Sequence, residues 1–409
     1  MNCRFCHTPL VDVFLDLGAA PPSNSFLSPA ELAGPEVYYP LKLFTCPECL
    51  LVQVDEYKRS SEIFSSSYVY FSSFSSTWLA HAKAYVEATL PRLGLGPDSL
   101  VMEIASNDGY LLQYVRERGV PCLGVEPSGS TAAVARERGI ETLEEFFGVA
   151  LATRLAAEGR RADLIIGNNV LAHVPDLNDF VTGLALALKP GGLVNMEFPH
   201  LYRLVESAQF DTVYHEHFSY LSLTTVKRIF AAHGLRVFDV EELPTHGGSL
   251  RIHARRDDDP KAVDSERLAA VLEMERAAGM NGPDYYRGFQ TRAERIKAKL
   301  LAFLSEQKLA GRTVAAYGAA AKGNTLLNFC GVKPDQVAFA CDASPHKQGL
   351  FMPGSRIPVL PPAAIDERKP DFVLILPWNI KDEIMGQLAH IRQWGGRFVV
   401  PIPEPAVLE

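Results

Sequence analysis

SLVMEIASNDGYLLQYVRERGVPCLGVEP, residues Ser99–Pro127, is the stretch that decides the fold. Leu100–Ala105 is a short apolar run that predicts a buried strand. Ser106–Gly109 is small and polar, a turn. Tyr110–Arg118 carries Leu111, Leu112 and Val115 at helical spacing, and Gly119–Pro121 stops that helix. Cys122–Val125 is a second apolar strand that ends in Glu126 and Pro127. Strand, small-residue turn, helix, and strand with a terminal acid make the first half of a nucleotide-binding α/β sheet. The turn lets a ligand approach bare backbone near a helix N-terminus, and an acid at Glu126 can accept both ribose hydroxyls.

A dinucleotide site wants G-x-G-x-x-G at the turn, so that a pyrophosphate meets bare backbone. Here Gly109 is the one glycine; Ala105 and Asn107 occupy the other positions, and Glu103 stands where an anionic phosphate would be repelled. That set suits a ligand with a ribose and a cationic end but no phosphate, such as S-adenosylmethionine (SAM). The stretch resembles motif I of class I methyltransferases, with Ala105 and Asn107 at glycine positions.

Working outward, 409 residues allow two or three domains. An apolar fraction of 47% with 22% charged residues is that of a globular chain. A net charge of −8 argues against nucleic-acid binding. The absence of an 18-residue apolar run or a leader-like segment before MNCRFC predicts a cytoplasmic protein with no membrane contact.

Upstream, Cys3-x-x-Cys6 and Cys46-x-x-Cys49 are separated by 39 residues. Paired CxxC knuckles place four thiolates around one zinc ion, and four protein ligands leave no open position, so the metal is structural. His7 is a weak substitute ligand. Between the knuckles, alternating apolar residues and Pro-rich turns predict short hairpins that depend on the metal. Lys58–Trp78 interleaves serines and aromatics; it reads as a linker or as an active-site lid in which Tyr68 and Tyr70 supply hydroxyls.

Downstream, Ser130–Arg138 is a helix and Gly139–Leu143 a third strand, followed by Glu145 and Phe146, which are placed for the adenine amino group and ring. Asp163–Gly167 is a fourth strand that empties into Asn168 and Asn169, at the amino-acid end of the ligand. His173 is either a core histidine or a substrate-facing group. Leu193–Phe198 is a fifth strand, and Leu235–Glu242 pairs with Ser249–Arg255 across a turn containing His246. Between them, Phe210–Ser222 is crowded with titratable groups. The spacing of His215 and His217 is wrong for a metal, so a general base is expected there, with Glu216 orienting an imidazole or holding a substrate group. Pro260–Ala310 is a helical hairpin.

A second α/β unit follows. Its Gly318–Asn324 turn sets Lys322 at a helix N-terminus, a cradle for a diphosphate, and Asp342–Gly349 is a second polar loop on the same edge, with Lys347 in it. Asp342 lies 24 residues beyond Gly318, which mimics an NAD fingerprint without its glycine order.

The order CxxC…CxxC, EIASNDG, YHEHFSYLS, HGGSLR, YGAAAKGNT and D-x-S-P-x-K-Q-G resembles the three-domain sugar C-methyltransferases over essentially the whole chain. The resemblance implies a zinc domain (1–60), a Rossmann-like SAM domain (61–258), and a helical hairpin with a smaller α/β domain (259–409) gripping a nucleotide sugar. It implies methylation of C3 of a nucleotide-diphosphate-linked, here dTDP-linked, 4-keto-deoxysugar; the chain is expected to act as a monomer. The base region falls on Tyr214, Glu216 and His217, with His217 favoured and Tyr214 its rival; Tyr70 and His173 line the site. Substrate contacts fall on His246, Lys322, Asn324, Asp342 and Lys347. Two other readings stay open: an NAD-dependent nucleotide-sugar oxidoreductase, and a non-catalytic zinc module fused to a degenerate methyltransferase.

Overall fold

The computed structural model describes residues 1–57 and 71–408. Tyr68 and Tyr70, and with them most of the expected lid, lie outside the described residues.

Three sheets build the chain. Strands β1 (Asp12–Ala20), β2 (Tyr39–Thr45) and β3 (Val52–Val54) form an antiparallel N-terminal sheet. The central sheet holds β4 (Val101–Ile104), β5 (Cys122–Val125), β6 (Thr142–Leu143), β7 (Ala162–Asn168) and β8 (Leu188–Pro199). A short β9 (Ser219–Tyr220) interrupts it, and β10 (Leu235–Leu243) and β11 (Ser249–Arg256) complete it. Its order is β10-β11-β8-β7-β4-β5-β6. The pairs from β6 to β8 are parallel, and β11 runs antiparallel to both neighbours. Strand order reverses between β4 and β7, so the crevice outside their carboxyl ends is the ligand position of such sheets. The third sheet contains β12 (Val314–Tyr317), β13 (Ala340–Cys341), β14 (Val359–Leu360), β15 (Phe372–Ile375), β16 (Arg397–Val400) and β17 (Ala406–Leu408), in the order β14-β13-β12-β15-β16-β17.

Several bounds differ from expectation. The first helix of the central unit is Leu112–Glu117, because Tyr110 and Leu111 still belong to the turn. Strand β8 already begins at Leu188 rather than at Leu193. The hairpin helices are Glu266–Ala277 and Phe289–Leu309.

The N-terminal sheet does not stand alone. β3 continues onto β9, pairing Val52 with Tyr220 and Gln53 with Ser219, so the segment expected to hold the base is stitched to the cysteine-bearing unit. One apolar cluster joins Leu15 and Leu43 of the N-terminal sheet, Phe210 and Phe218, Phe289 and Leu300 of the hairpin, and Leu326 and Met352 of the C-terminal unit.

Candidate active site

The four cysteines converge. Their sulfurs all lie within 4.8 Å of one another, with Cys3 Sγ 3.5 Å from Cys49 Sγ and Cys6 Sγ 3.4 Å from Cys46 Sγ. Four ligands at the usual Zn–S length of about 2.3 Å stand about 3.8 Å apart on a tetrahedron, so the set fits zinc and is closed. His7 is exposed and outside it. Gln53 Nε2 donates to Cys3 Sγ at 3.3 Å, and the Gln53 amide oxygen accepts the Arg4 N–H at 2.9 Å.

At the crevice, the backbone after β4 turns through the left-handed region: φ is +56° at Ala105, +49° at Asn107 and +77° at Gly109. A side chain at Gly109 would meet Ile140, its Cβ 2.4 Å from Cδ1, so this position needs glycine twice over. Glu126 closes the crevice at the end of β5. One carboxylate oxygen accepts the Asn107 N–H and the other the Ser128 N–H, each at 2.9 Å. Burial raises its pKa, and those two N–H groups oppose the rise. Asn168 Nδ2 donates to the Tyr110 hydroxyl at 3.1 Å. Asn169, at φ +55°, donates through Nδ2 to His246 Nε2 at 2.9 Å, while its buried Oδ1 has no partner among the described residues. An acceptor so placed at the carboxyl end of β7 suits a positively charged group. Glu103 is wholly buried at the end of β4, and burial pushes its carboxyl well above the usual range, which weakens the charge expected to repel a phosphate. Glu145 and Phe146 face solvent at the rim, Glu145 paired with Arg154 and Phe146 48% exposed.

The base segment is clamped at its stems. Leu201 N–H donates to Leu221 O at 2.9 Å, and Glu275 accepts from His200 Nε2 at 2.7 Å and from Leu223 N–H at 2.6 Å. Inside, His217 Nδ1 lies 3.0 Å from the Thr212 carbonyl. A carbonyl only accepts, so Nδ1 carries the proton and Nε2 the lone pair. The Tyr214 and His173 rings stand 3.9 Å and 4.6 Å from the His217 ring. Burial, then the neighbouring His173, holds His217 well below its ordinary value; burial holds His173 down to about 4. Both rings are therefore neutral near pH 7. Glu216 accepts the Asn24 amide at 2.8 Å. His215 turns away and donates to the carbonyls of Tyr39 and Pro40, bracing the N-terminal sheet.

Trp78, His81, Glu197 and Arg251 lie near the expected residues, and the C-terminal unit brings up the residues expected there. Trp78 stacks on His81 at 4.9 Å and approaches His246 at 5.3 Å. Glu197, the only acid of β8, accepts from His81 at 2.9 Å, Arg251 at 2.7 Å and Thr245 at 2.9 Å. A lone acid in an apolar strand was the available signal. From the C-terminal unit, Lys322 Nζ donates to Asn379 Oδ1 at 2.7 Å, and Trp378 Nε1 donates to Asp211 Oδ2 at 2.7 Å. Asn324 Nδ2 donates to Ser23 O at 2.7 Å. Asp342 accepts the Ala319 and Ser344 N–H groups at 2.8 Å, and Lys347 donates to Ala319 O at 3.0 Å, so these two brace their own loops.

A reversed parallel sheet with a ribose-type acid, beside a closed four-cysteine site, defines a SAM-dependent methyltransferase with a structural zinc. The chain belongs to the C-methyltransferase family. It is 37% identical over 411 residues to C-methyltransferase NovU of Streptomyces niveus, covering 100% of this chain and 96% of that one. Family models match as a zinc binding domain at 3–64, a methyltransferase domain at 78–240 and a C-methyltransferase C-terminal domain at 244–403. A ubiquinone biosynthesis O-methyltransferase of Chelativorans sp. (strain BNC1) is 30% identical over 95 residues, 23% of this chain and 38% of that one. Among solved structures, a SAM-dependent methyltransferase from Thermotoga maritima is 19% identical at a TM-score of 0.36, covering 49% of this chain and all of that one. No helix among the described residues is long and apolar enough to cross a membrane.

Proposed function

We propose that this C-methyltransferase methylates C3 of a dTDP-linked 4-keto-deoxysugar through an enolate, acting as a monomer. The observation that carries the reading is His217: a neutral, half-buried imidazole with its Nε2 lone pair unspent on the Thr212 contact, packed against Tyr214 and His173. A proton next to a ketone is acidic because its loss spreads charge onto the carbonyl oxygen. SAM supplies the electrophilic methyl group. His217 takes the α-proton, with Tyr214 as the rival base and His173 and Tyr70 lining the pocket. Glu216, oriented by Asn24, receives a sugar hydroxyl. On the donor side, Glu126 and Pro127 hold the ribose; Ala105, Asn107 and Gly109 shape the turn above Glu103; Asn168 and Asn169 hold the amino-acid end; Glu145 and Phe146 edge the adenine. His246, Asn324, Asp342 and Lys347 contact the nucleotide sugar, with Lys322. Positioning both substrates supplies up to ~7–11 kcal/mol of the barrier.

Hydrogen exchange tests this apart from methyl transfer. A dTDP-linked 4-keto-6-deoxyhexose in deuterated water, with S-adenosylhomocysteine bound, is expected to gain deuterium at C3. Deuterium at C5, the other carbon flanking the ketone, moves the methylated position; none at either carbon overturns the enolate. His217→Asn is expected to slow exchange and turnover roughly 10²–10⁴-fold with SAM affinity unchanged. Full exchange in the Tyr214→Phe, His217→Asn double variant removes both bases.

A further inference from the structure

Lys322 was expected at a diphosphate cradle, but that turn is partly spent. The Gly318 N–H donates to Cys341 O at 2.7 Å and the Ala319 N–H to Asp342 at 2.8 Å. The Lys322 side chain instead runs toward the base. Its Nζ lies 4.9 Å from the Trp378 ring centroid and donates to the neutral amide of Asn379. Trp378 lies flush against the turn after β10: a side chain on Gly247 would meet its Cη2 at 2.6 Å. The next residue back is His246, bonded to Asn169. On its other edge the Trp378 indole N–H donates to Asp211, which is wholly buried and adjoins Thr212, the residue whose carbonyl fixes His217. The ammonium charge reaches this cluster, depressing both His217 and His246 and opposing the rise that burial imposes on Asp211.

A desolvated ammonium bonded to an amide and an aromatic face, with no ion pair among the described residues, awaits an anion. We infer that Lys322 is the electrostatic catalyst of enolate formation, facing the ketone oxygen that becomes negative, with Trp378, Asp211 and Asn379 as its positioning residues. This rests on the enolate reading above. The α-C–H bond breaks and its proton passes to His217 Nε2. The bonding pair becomes the C=C bond of the enolate, and the carbonyl pair moves onto oxygen beside the ammonium. When the enolate carbon bonds the methyl group, the carbonyl re-forms, and the methyl–sulfur pair stays on sulfur.

The test uses the full-length zinc-loaded protein with S-adenosylhomocysteine bound. Exchange of the α-hydrogen of a dTDP-linked 4-keto-6-deoxyhexose is followed at saturating sugar, and dTDP and SAM affinities are measured by calorimetry. Lys322→Met is expected to slow exchange roughly 10²–10³-fold, the scale of losing one oxyanion partner, with both affinities within about twofold of wild type. Lys322→Gln, also uncharged and still able to donate to Asn379, gives the same reading if the methionine variant does not fold. Wild-type exchange with dTDP affinity lost in the variants overturns the inference in favour of a diphosphate contact. Wild-type exchange with unchanged affinities overturns it outright. Failure of the wild-type protein to exchange is a failure of the enolate reading and is distinguished by that control.

Discussion

Histidines set the behaviour of this protein at the scale of single residues. Burial holds His173 and His246 each down to about 4, from an ordinary value of 6.5, and shifts His217 the same way. Between those values the unfolded chain binds more protons than the folded one. Their contribution to stability is therefore complete above about pH 6.5 and is lost as the pH falls through about 4, at up to ~3 kcal/mol per group. Urea midpoints are expected to drop between pH 7.5 and pH 5; a flat profile would show that the rings reach water. Ala105 has a different burden, a left-handed backbone at φ +56°. That conformation costs an L-residue ~1–2 kcal/mol, more than the ~0.5–1 kcal/mol of backbone entropy a glycine loses. Ala105→Gly is thus expected to stabilise by about 0.5–1 kcal/mol, the reverse of the usual sign. A lowered denaturant midpoint with an unchanged slope would contradict it.

At the scale of elements, the zinc knuckle and the base segment are one construction. β3 begins three residues after Cys49 and pairs with β9, and the Val54 N–H donates to Phe218 O at 3.1 Å, next to His217. Arg4, between the first two cysteines, donates to Pro175 O at 2.8 Å and lies over the Phe218 ring. About one zinc per chain is expected by metal analysis. Its removal, or Cys46→Ser, is expected to lower α-hydrogen exchange while SAM affinity stays within about twofold, because the SAM crevice is built from β4, β5 and β7. Metal-free protein exchanging at the wild-type rate would separate the knuckle from the chemistry. The periodicity of β4 and β5 and the CxxC spacing are local and were legible. The addition of β9 to β3 was not, since two residues carry no period.

Across the whole molecule, the N-terminal sheet, the Phe210–Tyr220 segment and the C-terminal unit share one apolar cluster, and both outer units bond to that segment. Leu27 bridges to Phe351, Thr325 Oγ1 donates to Val213 O at 2.7 Å, and Gln290 Oε1 accepts the Asp16 N–H at 2.7 Å. Phe71 and Phe74, just past the undescribed residues, each approach His346 of the C-terminal unit at 5.9 Å, and Ser72 N–H donates to Asn107 Oδ1 of the SAM turn at 2.9 Å. Elements that share buried apolar surface unfold together. Zinc release and loss of near-ultraviolet circular dichroism are therefore expected to coincide in one thermal transition. Two separated steps would show that the units are independently stable.

The sequence by itself determined the parallel central sheet, the acid Glu126 at the end of β5, the four-cysteine cluster and the crowding of titratable groups around His217. Each is a local signal: a period, a spacing, or a charged residue ending an apolar run. It could not show that burial raises the Glu103 carboxyl, that His215 turns away while His217 faces Tyr214, or that Trp378 reaches Asp211 across 167 positions of sequence. Those facts depend on which surfaces exclude water from one another. Desolvation shifts the titration of Glu103 and His217, and packing between distant elements sets Trp378, with Lys322 over its ring, against Asp211. Both are properties of the assembled core rather than of any one segment.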